Sequence, residues 1–187
     1  MNWGATAEER RMPLPGDDPA ADSSGSLTRA ITIEAPRASV WPWLVQVGQD
    51  RAGFYSYDGL ENLAGCEMDN ADEIHPEWQK RELGETVYLH PLRGLPVARF
   101  EPGHTLALEN WGAFVLEPHG PDCTRLIARG RVPRGPGALT NGLLLEVPHF
   151  VMERKMLLGI KERAERCHTA AVRRVAQAAP VAEAVHV

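Results

Sequence analysis

PHFVMERKMLLGIKERAERCHTAAVRRVA, residues 148–176, is the stretch of this sequence that decides the fold. Val147 precedes a proline and so resists helical geometry, whereas Pro148 suits the first position of a helix. The stretch therefore predicts a helix that starts at Pro148 and runs for about 29 residues, or roughly 43 Å. Charged side chains occupy one side of this helix, and apolar ones recur at helical spacing along the other. The apolar arc comprises Met152, Met156, Leu157, Ile160, Ala164, Cys167, Ala171 and Val175.

The residues upstream of this helix predict an antiparallel sheet. Residues 28–35 alternate between apolar and polar side chains, as a half-buried strand does, and a short helix over residues 37–46 follows Pro36. Residues 53–83 read as short helices and loops. Further strands are expected at residues 86–90, 97–101, 105–110, 111–117 and 123–132, and turn residues such as those at 102–103 indicate consecutive hairpins.

The last predicted strand has two different faces. Arg125, Arg129 and Arg131 lie on one of them and give it a mostly charged character. Ala128 and Gly130 lie on the other, and such small side chains leave room beneath them. The strand therefore predicts one mostly charged face and one face with room beneath its small side chains.

The chain has 187 residues, which suits a single domain with irregular ends. Residues 1–27 are rich in Pro, Gly, Asp and Ser and predict an irregular arm, although Trp3 indicates that part of it is pinned to the body. Residues 28–176 form the predicted domain, and residues 177–187 a flexible tail.

Composition argues against several classes of protein. The net charge of -5 provides no positive field that would attract nucleic acid, so we expect no nucleic-acid partner. No segment approaches the ~20 apolar residues of a membrane span, so we expect no insertion into a membrane. Three cysteines and seven histidines follow no ligand spacing, so we expect no metal and no cofactor. A cytoplasmic location is the simplest interpretation of the cysteine count and of the polar N-terminal residues.

The element order and several short stretches resemble the START-related (SRPBCC) superfamily, which includes birch-pollen-allergen-like proteins and polyketide cyclases. The resemblance covers residues 28–176 and is most specific in VWPWLVQ at 40–46, GFYSYD at 53–58, ENL at 61–63 and PEWQ at 76–79. It implies an α+β helix-grip fold: a curved antiparallel sheet of about six to seven strands wrapped on a long C-terminal helix, with short helices after the first strand. It also implies a cavity for apolar molecules between sheet and helix. It implies no reaction, because carriers, enzymes and regulatory proteins share this scaffold.

Candidate ligand-binding residues are the aromatic, methionine and acidic side chains that such a cavity would use. Each has a plain structural alternative, since large aromatics fill cores, methionines fill gaps, and Asp58 with Glu61 resembles a helix-capping pair. No catalytic residue is assigned. The predicted ligand-binding set is Trp43, Tyr55, Tyr57, Glu61, Trp78, Trp111, Met152, Glu153 and Met156.

Glu153 is the anomaly of the long helix, because it falls at the centre of the apolar arc. A carboxylate there is costly unless it is paired or protonated. One interpretation pairs it with an arginine or leaves it near the open end of the helix. The other makes it a ligand-orienting group or an acid of raised pKa.

Three functions remain open on the sequence alone. The sequence favours binding of a small hydrophobic or amphipathic ligand, such as a lipid or polyketide, over enzymatic activity. The second is a cyclase- or aromatase-like enzyme that uses a cavity acid or tyrosine. The third is a protein-binding regulatory module with an exposed patch around Val151 and Leu158. Both a monomer and a homodimer are compatible with these expectations.

Overall fold

The computed structural model describes residues 1–17, 23–63, 65–66, 68–133 and 138–178, and among these the side chains of 23–24, 60–61, 133 and 138–146 are outside the description. The helices are α1 (Arg37–Val45), α2 (Asp58–Leu63) and α3 (Ala138–Ala178), with a 3₁₀ turn at Pro76–Trp78. The strands are β1 (Ser23–Ile33), β2 (Thr86–His90), β3 (Arg93–Glu101), β4 (Thr105–Leu108), β5 (Gly112–Pro118) and β6 (Thr124–Pro133).

The described strands form one curved antiparallel sheet of six strands, in the order β1-β6-β5-β4-β3-β2. Strands β2 to β6 follow one another as a meander. The last strand, β6, also pairs with β1, and Ile33 lies opposite Thr124. One sheet face, here called the inner face, packs against α1 and α3 and carries the main core with Ile33, Phe114 and Leu126. The predicted helix-grip architecture is confirmed.

Helix α3 begins ten residues before the predicted start, at Ala138 instead of Pro148. The prediction was wrong because it gave the proline the role of a starting residue. A proline inside a helix removes one backbone hydrogen bond and crowds one carbonyl, which disfavours the helix without forbidding it. The apolar arc was predicted correctly at its centre, where Met156, Leu157, Ile160 and Ala164 are buried.

The mostly charged face of β6 is covered by the N-terminal arm. Residues 3–17 run along β1 and across this outer face, and Leu14 and Met12 pack on Ile127 in a second small core. Trp3 is pinned to the edge strand, since its carbonyl accepts a hydrogen bond from Ala30 N at 2.9 Å. The strand alternation had correctly separated the two faces, but it could not show that other residues of the chain would cover the charged one.

The arginines of β6 hold this arm by its backbone as well as by its acids. Arg129 is buried and donates to the carbonyls of Glu9 and Met12 and to Asp17 Oδ2, the latter at 2.6 Å. Arg125 binds both carboxylate oxygens of Glu9, at 2.7 and 3.0 Å. Guanidinium groups have enough donors to satisfy several acceptors at once, which allows their burial here.

Gly159 permits the closest approach between α3 and the loop before α2. A Cβ atom there would lie 2.4 Å from the carbonyl oxygen of Tyr55. Tyr55 itself has a left-handed backbone with φ of 54°, and Asn70 Oδ1 accepts its N–H at 2.6 Å. The mid-helix glycine is therefore explained by a close packing partner. No helix among the described residues is long and apolar enough to cross a membrane.

Candidate functional site

Two neighbouring rows of residues cross the inner face of the sheet beside α3. The first, the arginine row, runs through cross-strand partners from β1 to β3: Arg29, Ala128, Phe114, Leu106 and Phe100. The second, the glycine row, lies two residues further along each strand and comprises Leu27, Gly130, Gly112 and Leu108. Since side chains alternate between faces of a strand, both rows face the same side as α3.

The two glycines of the glycine row, Gly112 and Gly130, differ in what surrounds their Cβ positions. Gly112 has φ of 144°, and a Cβ atom there would lie 1.8 Å from the carbonyl oxygen of Arg129, so no other residue fits. Gly130 is buried, yet among the described residues a Cβ atom would meet only the carbonyl oxygen of Trp111, at 3.8 Å. Among the described residues, therefore, no side chain fills the position beside Gly130 on the inner face.

A buried ion pair lies at the border of this space. Arg29 Nη1 donates to Glu153 Oε2, and the two side chains are 1% and 3% exposed. His149 Nε2 lies 3.0 Å from the same oxygen, one helical turn earlier on α3, and the guanidinium of Arg29 lies 5.4 Å from the ring centre of Phe150. Glu153 is thus held by β1 and by its own helix.

The other oxygen of Glu153 has no such partner. Oε1 is buried and makes no hydrogen bond to any residue that the structure describes. A buried acceptor without a donor costs about 1–3 kcal/mol, and more when it is charged. Oε1 can therefore accept a hydrogen bond from a donor group of a bound ligand. If that ligand is neutral, the protein needs no additional charged group to balance it.

Tyr55 is a core residue whose hydroxyl group is engaged. The hydroxyl donates to the carbonyl oxygen of Trp43 at 3.0 Å and accepts from Gln46 Nε2 at 2.9 Å, while the rings of Tyr55 and Trp43 meet edge to face at 5.9 Å. Burial raises the pKa of the Tyr55 hydroxyl far above its usual value. The hydroxyl is therefore poorly suited to donate or accept a proton at neutral pH.

The remaining predicted site residues are divided between different parts of the molecule. Tyr57 is 42% exposed with Lys155 over its ring, and Trp78 stacks on His75 at 4.1 Å beside the end of α1. Met152 is half-buried, and its carbonyl oxygen accepts a hydrogen bond from Ser56.

Trp111 contacts the arginine row, and Met156 lies in the main core. Trp111 is half-buried against Phe114, with ring centres 4.8 Å apart, and Met156 is buried in the main core one turn beyond Glu153. The backbone of Glu61 lies in α2, and its side chain is outside the described residues. Of the nine predicted residues, Glu153 contacts Arg29 and Trp111 contacts Phe114 of the arginine row, while Met156 belongs to the main core with Trp43 and Tyr55.

Sequence reasoning missed Arg29, His149 and Phe150 as members of this site. Arg29 had a visible signal, since it is a charged residue between Leu27 and Ile31 on the face of β1 that the alternation marks as apolar. His149 had a weaker one, the spacing of four residues to Glu153 that brings two helical side chains together.

Two clefts open elsewhere on the described surface. One, of about 310 Å³, lies between α3 and the loops around α2 and is lined by both acids and bases, among them Asp72 and Arg163. These two side chains form an ion pair at 2.9 Å. The other, of about 370 Å³, lies on the outer face beside Gly16 and Arg131. Neither cleft lies between the inner face and α3.

A scan against protein-family models and a search of curated proteins gave no match. Among solved structures, a polyketide-cyclase-like protein from Corynebacterium glutamicum is 14% identical and aligns over 82% of this chain and 95% of its own, with a TM-score of 0.35. A protein from Bordetella parapertussis is 15% identical and aligns over 92% and 95%, with a TM-score of 0.42. Such distant similarities carry no inference about function. By its own strand order and its long C-terminal helix, the chain has the helix-grip fold.

Proposed function

We propose that this protein binds a small apolar or amphipathic molecule between the inner face of the sheet and α3. The walls would be the glycine row, the aromatic rings of Phe114 and Trp111, and the helix face around Met156. Small-molecule sites in proteins have this character, with mostly apolar walls and a few polar groups that fix orientation.

The observation that carries the proposal is that buried Gly130 has no side-chain neighbour at its Cβ position among the described residues. Protein interiors are packed to crystal-like density, so a buried glycine without side-chain neighbours among the described residues is an exception. It lies next to the buried pair of Arg29 and Glu153, which gives the space one polar border. Binding is favoured over catalysis because the Tyr55 hydroxyl is already committed to Trp43 and Gln46.

Filling the space tests the proposal. The purified protein is titrated with N-phenyl-1-naphthylamine, a neutral probe whose fluorescence increases in apolar surroundings, and is examined by native mass spectrometry for a co-purified molecule. We expect saturable binding to the wild type. Gly130→Leu should lower the affinity about tenfold or more, because the added side chain would occupy the place of the ligand, and fitting both costs on the order of 1–3 kcal/mol.

The matched control is Gly59→Leu. Gly59 is exposed in α2 and also has open space at its Cβ position, so the same side chain is added away from the inner face. It should bind the probe as the wild type does, and the thermal unfolding of both variants shows that they are folded. Absence of any bound molecule and of probe binding in the wild type would contradict the proposal, as would equal binding by folded Gly130→Leu.

A further inference from the structure

We infer that the molecule bound at this site is neutral and presents a hydroxyl or N–H group to Glu153, so that carboxylic acids such as fatty acids are poor ligands. This inference rests on the proposed function and adds the chemical class of the ligand. Its basis is the unequal use of the two oxygens of one buried carboxylate.

The carboxylate of Glu153 leaves a single kind of polar contact to be made at its own oxygens. Oε2 of Glu153 receives Arg29 and lies 3.0 Å from His149 Nε2, whereas Oε1 is buried with no partner among the described residues. Arg29 lies one inward-facing position from Leu27, and the cross-strand partner of Leu27 is Gly130. The carboxylate is therefore next to the proposed binding space. An ionised carboxylate oxygen accepts hydrogen bonds and cannot donate them.

Charge selects further among possible ligands. The positive charge of Arg29 is already balanced by Glu153, and both side chains are almost fully buried. An anionic ligand would place a second negative charge beside Glu153 where little water screens it. A cationic ligand would add an unbalanced charge to a neutral pair, whereas a neutral donor forms the missing hydrogen bond and brings no charge into the site.

Three naphthalenes of similar size test this selection by displacement of N-phenyl-1-naphthylamine at pH 7.5. 2-Naphthol offers an O–H donor, 2-acetylnaphthalene offers only an acceptor, and 2-naphthoate is an anion. Since a hydrogen bond to a charged group is among the stronger ones in proteins, 2-naphthol should bind about tenfold more tightly than the ketone. The naphthoate should bind most weakly of the three.

Glu153→Gln distinguishes a polar anchor from a merely structural residue. Arg29 only donates hydrogen bonds, so it will take the amide oxygen of glutamine and turn the amide NH₂ group toward the position of Oε1. The site then offers a donor in place of an acceptor. We expect the preference for 2-naphthol over 2-acetylnaphthalene to disappear or reverse, while the affinity for the naphthalene ring system is retained.

The outcomes separate the two proposals. If the wild type binds the probe and 2-naphthoate competes best, or if all three compounds compete equally, the inferred ligand class is wrong and the binding function stands. An unchanged preference in folded Glu153→Gln also overturns the inference. If the probe and all three compounds fail to bind, it is the proposed function that fails.

Discussion

Arg129 and Arg29 lie at neighbouring positions of the sheet, on opposite faces, and their surroundings differ. On the outer face, Arg129 is surrounded by acceptors that belong to the arm and to β1, and its carboxylate partner Asp17 also accepts from Leu14 N at 2.8 Å. On the inner face, Arg29 has a carboxylate partner with one oxygen unused. Among the residues that the structure describes, the carboxylate and carbonyl acceptors around Arg129 share its donors, whereas Glu153 Oε1 has no donor. A ligand that supplies a hydrogen-bond donor is therefore expected on the inner face.

Removing the inner carboxylate should have the largest effect on stability. Glu153→Met removes the carboxylate that pairs with the buried guanidinium of Arg29, which should lower the free energy of unfolding by about 3–5 kcal/mol. Urea denaturation measures this loss. The double variant Arg29→Met/Glu153→Met removes both charges and should recover most of it, because well-packed apolar residues often replace a buried ion pair at little cost. A double variant as unstable as the single one would show that the pair is not the source of the loss.

Breaking the outer interface should cost somewhat less. Arg129→Met leaves the carbonyl groups of Glu9 and Met12 and the carboxylate of Asp17 without their shared donor, and we expect a loss of about 3 kcal/mol in urea denaturation. Arg99→Met is the control, because Arg99 is half-exposed in a surface pair with Glu101 and should change stability by less than about 0.5 kcal/mol. If Arg129→Met lost as little stability as Arg99→Met, the contact between the arm and β6 would contribute little to the free energy of unfolding.

The contact between the arm and β6 should also be sensitive to acid. The hydrogen bond from Arg125 holds the pKa of Glu9 at about 2, against a model-compound value of 4.5. A carboxyl group of lowered pKa contributes stability above its unfolded pKa and loses it as the pH falls toward the folded value. Between pH 6 and pH 2.5, Glu9→Gln should therefore lose on the order of 2 kcal/mol less stability than the wild type does.

Glu8→Gln is the matched control for this measurement. Glu8 is exposed on the same turn of the arm, so its variant should follow the wild-type dependence of unfolding free energy on pH. If Glu9→Gln and Glu8→Gln show the same acid dependence, the pairing of Glu9 with Arg125 does not stabilise the arm.

Local periodicity predicted the elements well and their partners poorly. The spacing of Met156, Ile160 and Ala164 showed which side of α3 would be buried, since that follows from the helical repeat alone. The same spacing marked Glu153 as anomalous, but its partner Arg29 is 124 residues away in the sequence, and only the folded chain brings the two together.

The arm shows the same limit, because its sequence does not identify the strand that it contacts. Arg129 binds backbone carbonyl groups, which every residue has, so no residue type in the arm could reveal it as their partner. A local signal was present in Thr6 and Glu9, whose mutual hydrogen bonds form a helix-capping box with distances of 2.7 and 3.1 Å. That signal predicts a turn of helix and says nothing about the strand on which the turn rests.

The pairing of β1 with β6 has a consequence for the order of folding on the ribosome. Strand β1 and the arm are synthesised before β2 to β5, and their partner β6 follows only after most of the sheet. Until then β1 lacks its partner strand along the edge that faces β6, the condition in which strands associate with other chains. Closure of the sheet over so long a loop is also slow, because non-local contacts must overcome the entropy of the intervening chain. A nascent chain stalled before Thr124 should thus be far more prone to aggregation than one released after Pro133.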